Sequence, residues 1–127
     1  MKQHLFLFLF LLLGLAAQAQ SMDDFKQSTP EQRAQAQTEY LKANLQLDDQ
    51  QTQKIADINL KYAQKMEPVI KGSGGKLSKM KTAKNINAQK EAEYKQVFTS
   101  EQYKKYAELK EDMKDKVKEK MKQRQAQ

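Results

Sequence analysis

The chain has 127 residues, no cysteine and one histidine, and its 23 basic residues outnumber its 16 acidic residues. This length allows a single domain. Because the lone histidine is His4, the rest of the chain lacks the usual ligand sets for zinc, copper, nickel and iron, and it lacks nucleophile–base pairs that contain cysteine or histidine. The remaining carboxylates lie among lysines without a pocket-forming pattern. We expect no cofactor and no enzymatic activity.

Residues 1–19 have the pattern of a secretory signal peptide. A short basic start precedes an apolar run from Leu5 to Leu15, and Ala17-Gln18-Ala19 supplies small residues at a cleavage site. The apolar run is shorter than the ~20 residues of a membrane-spanning helix, so a retained anchor is the minor alternative. The sequence predicts a soluble exported chain that begins at Gln20, with a net charge of about +6.

Residues 20–28 are polar and unpatterned, which predicts a flexible leader before a single helical domain over residues 29–127. The first predicted helix runs from Pro30 to Leu45. The second runs from Asp49 to Ile70, and Pro68 is expected to kink it or end it. It carries the strongest apolar stripe in the chain, with helical spacing: Ile55, Ile58, Tyr62, Met66 and Val69.

Gly72 to Gly75 predicts a flexible hinge between two helical hairpins. A phosphate-binding loop is the minor alternative, because the required order of glycines and lysine is absent and no strand precedes it. A third helix is predicted from Ser78 to Val97 and a fourth from Ser100 to Gln123. The residues expected to be buried on the third helix and just after it are Met80, Ala83, Asn87, Tyr94, Val97 and Phe98. No strand pattern competes, so the predicted class is all-α, a small elongated four-helix protein.

Two similar five-residue motifs precede the second and fourth helices. In each, an apolar residue is followed by an N-cap candidate, two spacers and a glutamine: Leu47, Asp48 and Gln51 in the first copy, and Phe98, Thr99 and Gln102 in the second. The cap oxygen can accept from the amide of the third helical residue, while the glutamine reaches back to the amide of the cap. Thr29 and Gln32 repeat this capping box before the first helix.

The duplicated motif, read as (Leu/Phe)-(Thr/Asp)-x-x-Gln, resembles the LTxxQ-motif family of periplasmic proteins (Spy/CpxP-like). The copy at Phe98 keeps the threonine and the glutamine, whereas the copy at Leu47 has Asp48 in place of threonine. The resemblance implies a Spy-like fold, an antiparallel cradle-shaped homodimer and a role in envelope stress. Two capped helices of an unrelated bundle are the alternative explanation.

Lysines border the apolar stripes. On the second helix, Lys54, Lys61 and Lys65 share one flank beside Met66, and on the fourth helix lysines edge the stripe of Met113, Val117 and Met121 while the acids lie behind it. Such lysines can simply cover the border of a buried face. Alternatively, an apolar strip with cationic edges can bind unfolded chains. We take Lys54, Lys61, Lys65 and Met66 as candidate client contacts.

The leading hypothesis is an ATP-independent periplasmic chaperone or envelope-stress protein that binds unfolded or aggregation-prone proteins. One alternative is a cationic helical protein whose fourth helix lies on an anionic membrane surface. Another is a regulator that docks on the exported domain of a sensor. Nucleic acid is not an expected partner, because acidic residues interrupt the basic field.

Overall fold

The computed structural model describes residues 25–126, which form four long helices: α1 Pro30–Leu45, α2 Asp49–Lys71, α3 Lys76–Val97 and α4 Ser100–Gln125. No strand occurs in this range, so the all-α prediction is confirmed. None of the helices between residues 25 and 126 is both long enough and apolar enough to cross a bilayer. The predicted signal peptide lies outside the described residues.

Part of the predicted leader folds against α1. Residues 25–27 are helical, and the Ser28 hydroxyl donates to the carbonyl oxygen of Phe25 at 2.6 Å. Arg33 on α1 donates to the carbonyl oxygen of Ser28 at 2.5 Å and forms an ion pair with Glu67 on α2. Residues 25–28 are therefore joined to the α1–α2 pair, while residues 20–24 lie outside the described part of the chain.

The ends of α2 and α3 differ slightly from the predicted ones. Pro68 does not end α2, which continues for three residues to Lys71; the proline removes only its own amide donor, so one helical hydrogen bond is lost. The chain then extends through residues 72–75. A Cβ atom on Gly72 would lie 2.5 Å from the carbonyl oxygen of Pro68, so this turn requires glycine. α3 begins at Lys76, directly after the glycines and two residues before the predicted start.

The helices pack in sequence, with α2 between α1 and α3. Arg33 pairs with Glu67 and Lys61 with Glu93, so each neighbouring pair runs antiparallel. α4 leaves α3 after a two-residue link and crosses to α1. Its first half adds to the core and its second half is largely exposed.

The core lies where all four helices meet. Its buried members are Tyr40, Leu41, Leu45, Leu47, Ile55, Ile58, Tyr62, Tyr94, Phe98 and Tyr106. An aromatic group forms its centre: the Tyr94 ring lies 5.3 Å from Phe98 and 5.4 Å from Tyr106, the latter edge to face. Such ring pairs contribute beyond the apolar area that they bury.

The burial of α3 differs from the predicted pattern. Met80 and Asn87, predicted on the buried side, are exposed, whereas Ile86 packs against the core. The N-terminal half of α3 extends past the core, so helical spacing alone did not identify its buried face. Nearer the core, Tyr94 and Phe98 are buried as predicted, and Val97 packs beside them.

A chain of buried hydrogen bonds connects the first three helices through Asn59. The Asn59 amide nitrogen donates to the Thr38 hydroxyl oxygen at 2.9 Å, and its carbonyl oxygen accepts from the Tyr94 hydroxyl. Thr38 in turn donates to the carbonyl oxygen of Ala34 at 2.8 Å. Asn59 is 1% exposed. These polar groups are satisfied only by one another, so they select one register of α1, α2 and α3.

We expect Asn59→Ala to lower the free energy of unfolding by ~1–3 kcal/mol, because it leaves the Tyr94 and Thr38 hydroxyls without their buried partner. Urea titration followed by circular dichroism measures this loss. Tyr94→Phe in the Asn59→Ala background is the control: once its acceptor is gone, removing the unpaired hydroxyl should cost nothing or restore part of the lost stability. Equal effects of Tyr94→Phe in both backgrounds would contradict the assigned hydrogen bond.

Candidate functional site

Both repeated motifs form complete capping boxes. At the start of α2, the backbone N–H of Gln51 donates to the Asp48 carboxylate at 2.7 Å. The backbone N–H of Asp48 donates to the side-chain oxygen of Gln51 at 3.1 Å. At the start of α4, the backbone N–H of Gln102 donates to the Thr99 hydroxyl oxygen at 3.2 Å, and the backbone N–H of Thr99 donates to the side-chain oxygen of Gln102 at 2.9 Å. Each box satisfies amides that a helix start leaves unpaired.

The structure also places the two boxes against each other. The Gln51 side-chain nitrogen donates to the Gln102 side-chain oxygen at 2.7 Å, and the Gln102 nitrogen donates back to Gln51 at 3.2 Å. Gln51 also donates to the carbonyl oxygen of Val97 at 3.2 Å, and Gln102 to that of Leu45 at 3.3 Å. Each glutamine thus pairs with its counterpart and caps the last residue of the helix before the other box. We call this arrangement the glutamine junction.

Every hydrogen-bonding position of the two carboxamides is used in the glutamine junction. Each oxygen accepts from its own cap residue and from the opposite glutamine, and each nitrogen donates twice. The apolar residues before the caps, Leu47 and Phe98, are buried beneath it. The role of the motif is structural: it joins the start of α2 to the end of α3, and the start of α4 to the end of α1.

A second cluster lies on the outer side of the α2–α3 pair. The amines of Lys61 and Lys65 each lie 5.0 Å from the centre of the Tyr62 ring, and Lys61 forms a 2.5 Å ion pair with Glu93 on α3. We call these four residues the lysine–tyrosine face. Lysine over an aromatic ring is a favourable cation–π arrangement.

The lysine–tyrosine face shifts the pKa of two groups. The Lys61 hydrogen bond, followed by contact with Tyr62, lowers the pKa of Glu93 from its ordinary value of 4.5. Contact with the Glu93 carboxylate, more than burial, raises the pKa of Tyr62 to about 12. Glu93 is therefore ionised and Tyr62 neutral at neutral pH, and the two lysine amines point toward solvent around them.

The structure brings together only part of the predicted contact set. Lys61 and Lys65 meet over one ring, whereas Lys54 is exposed two helical turns earlier on the same flank of α2. Met66 is half-buried one turn after Tyr62. Tyr62 and Glu93 are not among the predicted contacts, although Tyr62 lies on the predicted stripe. The position of Glu93 depends on how α3 packs on α2.

Two further surfaces carry exposed apolar groups. On α4, Met113, Val117 and Met121 are exposed between lysines. Between α1 and α2, an open groove of about 250 Å³ has Ala34, Ala56 and Leu60 in its walls, with carboxylates at its edge. Across residues 25–126, no group of three or more histidine or carboxylate side chains is arranged to hold a metal ion.

Fold and site together define a small helical protein in which three of the four long helices begin with a capping box. The profile of the family described as Domain of unknown function (DUF4890) matches residues 17–106, so the chain belongs to that family. The matched range contains both boxes and all buried members of the core, and it ends at Tyr106, before the exposed half of α4. No curated protein and no solved structure matches the chain.

We expect Gln51→Ala and Gln102→Ala each to lower the free energy of unfolding by about 1 kcal/mol or more, because each removes a cap bond and an inter-box bond. The double variant should lose less than the sum of the two, by ~0.5 kcal/mol or more, since the pair shares its hydrogen bonds. Urea titration of the four proteins gives the coupling energy.

Gln32→Ala with Gln102→Ala is the matched control. Gln32 closes the capping box of α1 with the same two bonds, but it does not pair with another box. Its effect should add to that of Gln102→Ala within about 0.5 kcal/mol. If both pairs of variants showed the same coupling energy, the hydrogen bonds between Gln51 and Gln102 could not be its source.

The Glu93 ion pair predicts a pH-dependent contribution to stability. Because the pKa of Glu93 is lowered in the folded protein, its contribution is complete above about pH 5 and is lost as the pH falls through the folded-state pKa. Glu93→Gln should therefore lower the melting temperature at pH 7 and have a much smaller effect at pH 3. Glu108→Gln, on the exposed surface of α4, should change little at either pH. An equal Glu93→Gln effect at both pH values would contradict this assignment.

Proposed function

We propose that this protein is an ATP-independent periplasmic chaperone of the envelope-stress type, which binds unfolded or aggregation-prone proteins. The observation that carries the proposal is the exposed strip of Met113, Val117 and Met121 on α4, which lies among lysines and is not covered by the rest of the described chain. Methionine side chains are flexible and polarisable, so they adapt to partners of different shape. The resemblance to the LTxxQ-motif family supports the same function.

The lysine–tyrosine face supplies the second element of the proposal. Lys61 and Lys65 present two amines beside a single carboxylate, so this face attracts acidic segments of a client. Lys54 extends the positive charge along α2, and Met66 adds a partly exposed apolar contact. Clients are thus drawn in by charge, and their apolar side chains are sheltered on exposed methionine and valine.

Two structural proposals accompany the function. The protein acts as an antiparallel homodimer, as the resemblance implies, because a second copy would enlarge the surface offered to a client. The extended link of residues 72–75 acts as a hinge between the helix pairs. The lipid-surface alternative for α4 is less well supported, because Met113, Val117 and Met121 form a thin stripe without the Trp or Phe that is usual in interfacial helices.

The test is light scattering of a chemically reduced model client with residues 20–127 of this protein, without nucleotide. We expect suppression of aggregation that weakens as salt rises. Lys61→Gln with Lys65→Gln should need about threefold more protein for the same suppression, because two exposed charge contacts are lost.

Lys104→Gln with Lys105→Gln is the matched control, since it removes the same charge from exposed positions near the start of α4. Helix content by circular dichroism should be unchanged in both double variants. If aggregation is unaffected by a several-fold excess of the unmodified protein, the chaperone proposal is wrong, and the lipid-surface and sensor-docking alternatives take its place.

A further inference from the structure

The net charge of the chain is concentrated in one stretch. Residues 68–90, which we call the cationic segment, contain six lysines and no acidic residue. After residue 19 the chain has 22 basic and 16 acidic residues, so the part outside the cationic segment has 16 of each. Basic and acidic residues are equal in number outside the cationic segment. Five of its six lysines, Lys71 to Lys84, lie toward the end of the α2–α3 pair, and Lys90 lies over the Tyr94 ring.

Most of these lysines have no carboxylate partner. Among residues 25–126, Lys71 pairs with Glu67 at 2.7 Å, whereas Lys76, Lys79, Lys81 and Lys84 form no ion pair. Neighbouring lysines among these four are about 3 to 4.5 Å apart along the helix axis, within the ~8 Å Debye length at physiological salt, so their fields add. Positive charges in the first turns of a helix, three residues apart, also oppose helix formation. These lysines therefore do not stabilise α3.

Apolar side chains lie among the unpaired lysines. Leu77 is 83% exposed and Met80 is 49% exposed. With about 100° per residue, Leu77, Met80, Lys81 and Lys84 share one sector of α3. Ile86, which packs against the core, lies on the opposite side of the helix. This sector therefore faces away from the protein and combines apolar groups with cations.

A third exposed apolar group lies at the same end of the molecule. Arg33 lies 5.4 Å from the centre of the half-exposed Phe25 ring and pairs with Glu67, which in turn pairs with Lys71. Phe25 is thus connected to the residue where the cationic segment leaves α2. A protruding end with exposed Phe, Leu and Met beside lysines suits a flat anionic surface with an apolar interior.

We propose that the cationic segment docks this protein on an anionic phospholipid bilayer, with Leu77 and Met80 in the headgroup layer and the neighbouring lysines against the lipid phosphates. This inference goes beyond the chaperone proposal and locates a different surface from the α4 helix considered above. Lysines close to an anionic bilayer each add to binding, and one or two apolar side chains add more.

The experiment is co-sedimentation of residues 20–127 with vesicles, since the apolar run at 5–15 would itself enter a bilayer. We expect binding to phosphatidylcholine vesicles that contain about 30 mol% phosphatidylglycerol, and none to phosphatidylcholine alone. Binding should fall steeply between about 50 and 500 mM salt, because the Debye length shortens about threefold. Failure to bind the anionic vesicles at low salt would overturn the proposal.

Variants locate the contact. Replacing the exposed Lys76, Lys81 and Lys84 by glutamine should lower the partition coefficient by about 100-fold. The matched control replaces Lys116, Lys118 and Lys122 on α4, which removes the same charge where acids are interspersed, and it should change binding by less than about threefold. Equal losses in both triple variants would show that net charge alone drives binding and would overturn the assigned site.

Leu77→Ser separates insertion from charge attraction and should lower the partition coefficient by about tenfold with the net charge unchanged. No effect would overturn the placement of Leu77 in the headgroup layer. If the protein binds poly-glutamate through Lys76, Lys81 and Lys84 but does not bind vesicles, the bilayer proposal is overturned and the partner is an acidic polypeptide. Client aggregation is measured without lipid, so failure of either proposal is seen independently of the other.

Discussion

The paired glutamines of the glutamine junction are the constraint on which the arrangement of this fold depends. Gln51 and Gln102 each close a capping box, meet side chain to side chain, and bind the last carbonyl of the helix before the other box. A carboxamide suits this role because it has two donors and an oxygen that accepts twice. Neither aspartate nor serine can make all of these bonds. The junction fixes how α4 meets the first three helices, which local helix formation does not determine.

Beneath the junction, the core is small and rich in tyrosine. Tyrosine packs as a large apolar group whose hydroxyl usually finds a partner when buried, although the buried Tyr40 hydroxyl has none among the described residues. Asn59 is the acceptor for Tyr94, and Glu91 is the acceptor for Tyr106. Burial is the main cause of the raised pKa of both tyrosines, which therefore stay neutral at physiological pH. Polar partners thus specify the packing of helices whose apolar stripes are narrow.

The surface has two regions that differ in their pattern of charged residues. Over most of the described chain, carboxylates and lysines alternate, and several form ion pairs between helices, such as Glu91 with Lys110 at 2.9 Å. At the α2–α3 end the carboxylates stop, and apolar side chains are exposed among unpaired lysines. The first region stabilises the helices and keeps the protein dispersed. In the second region, no carboxylate of the described chain neutralises these lysines. We therefore assign this surface to a partner outside the chain.

The sequence by itself determined the helices and most of their ends. Cap residues, glycines and apolar spacing act within a few residues, so the bounds of α1 and the starts of α2 and α4 could be predicted. The absence of acidic residues between Glu67 and Glu91 was also visible in the sequence, and counting charges along the chain would have found the cationic segment. Asn59 falls on the α2 stripe, where a polar residue among apolar ones indicates a buried hydrogen bond.

Only the tertiary structure decided which of these groups meet. The pairing of Gln51 with Gln102 joins residues 51 positions apart, and the contact of Lys61 with Glu93 joins neighbouring helices. The exposure of Met80 depends on α3 extending beyond the core, which its own spacing does not show. Helix formation is a local property of the chain, whereas these contacts arise when separate helices compete for the same buried surface and hydrogen-bond partners.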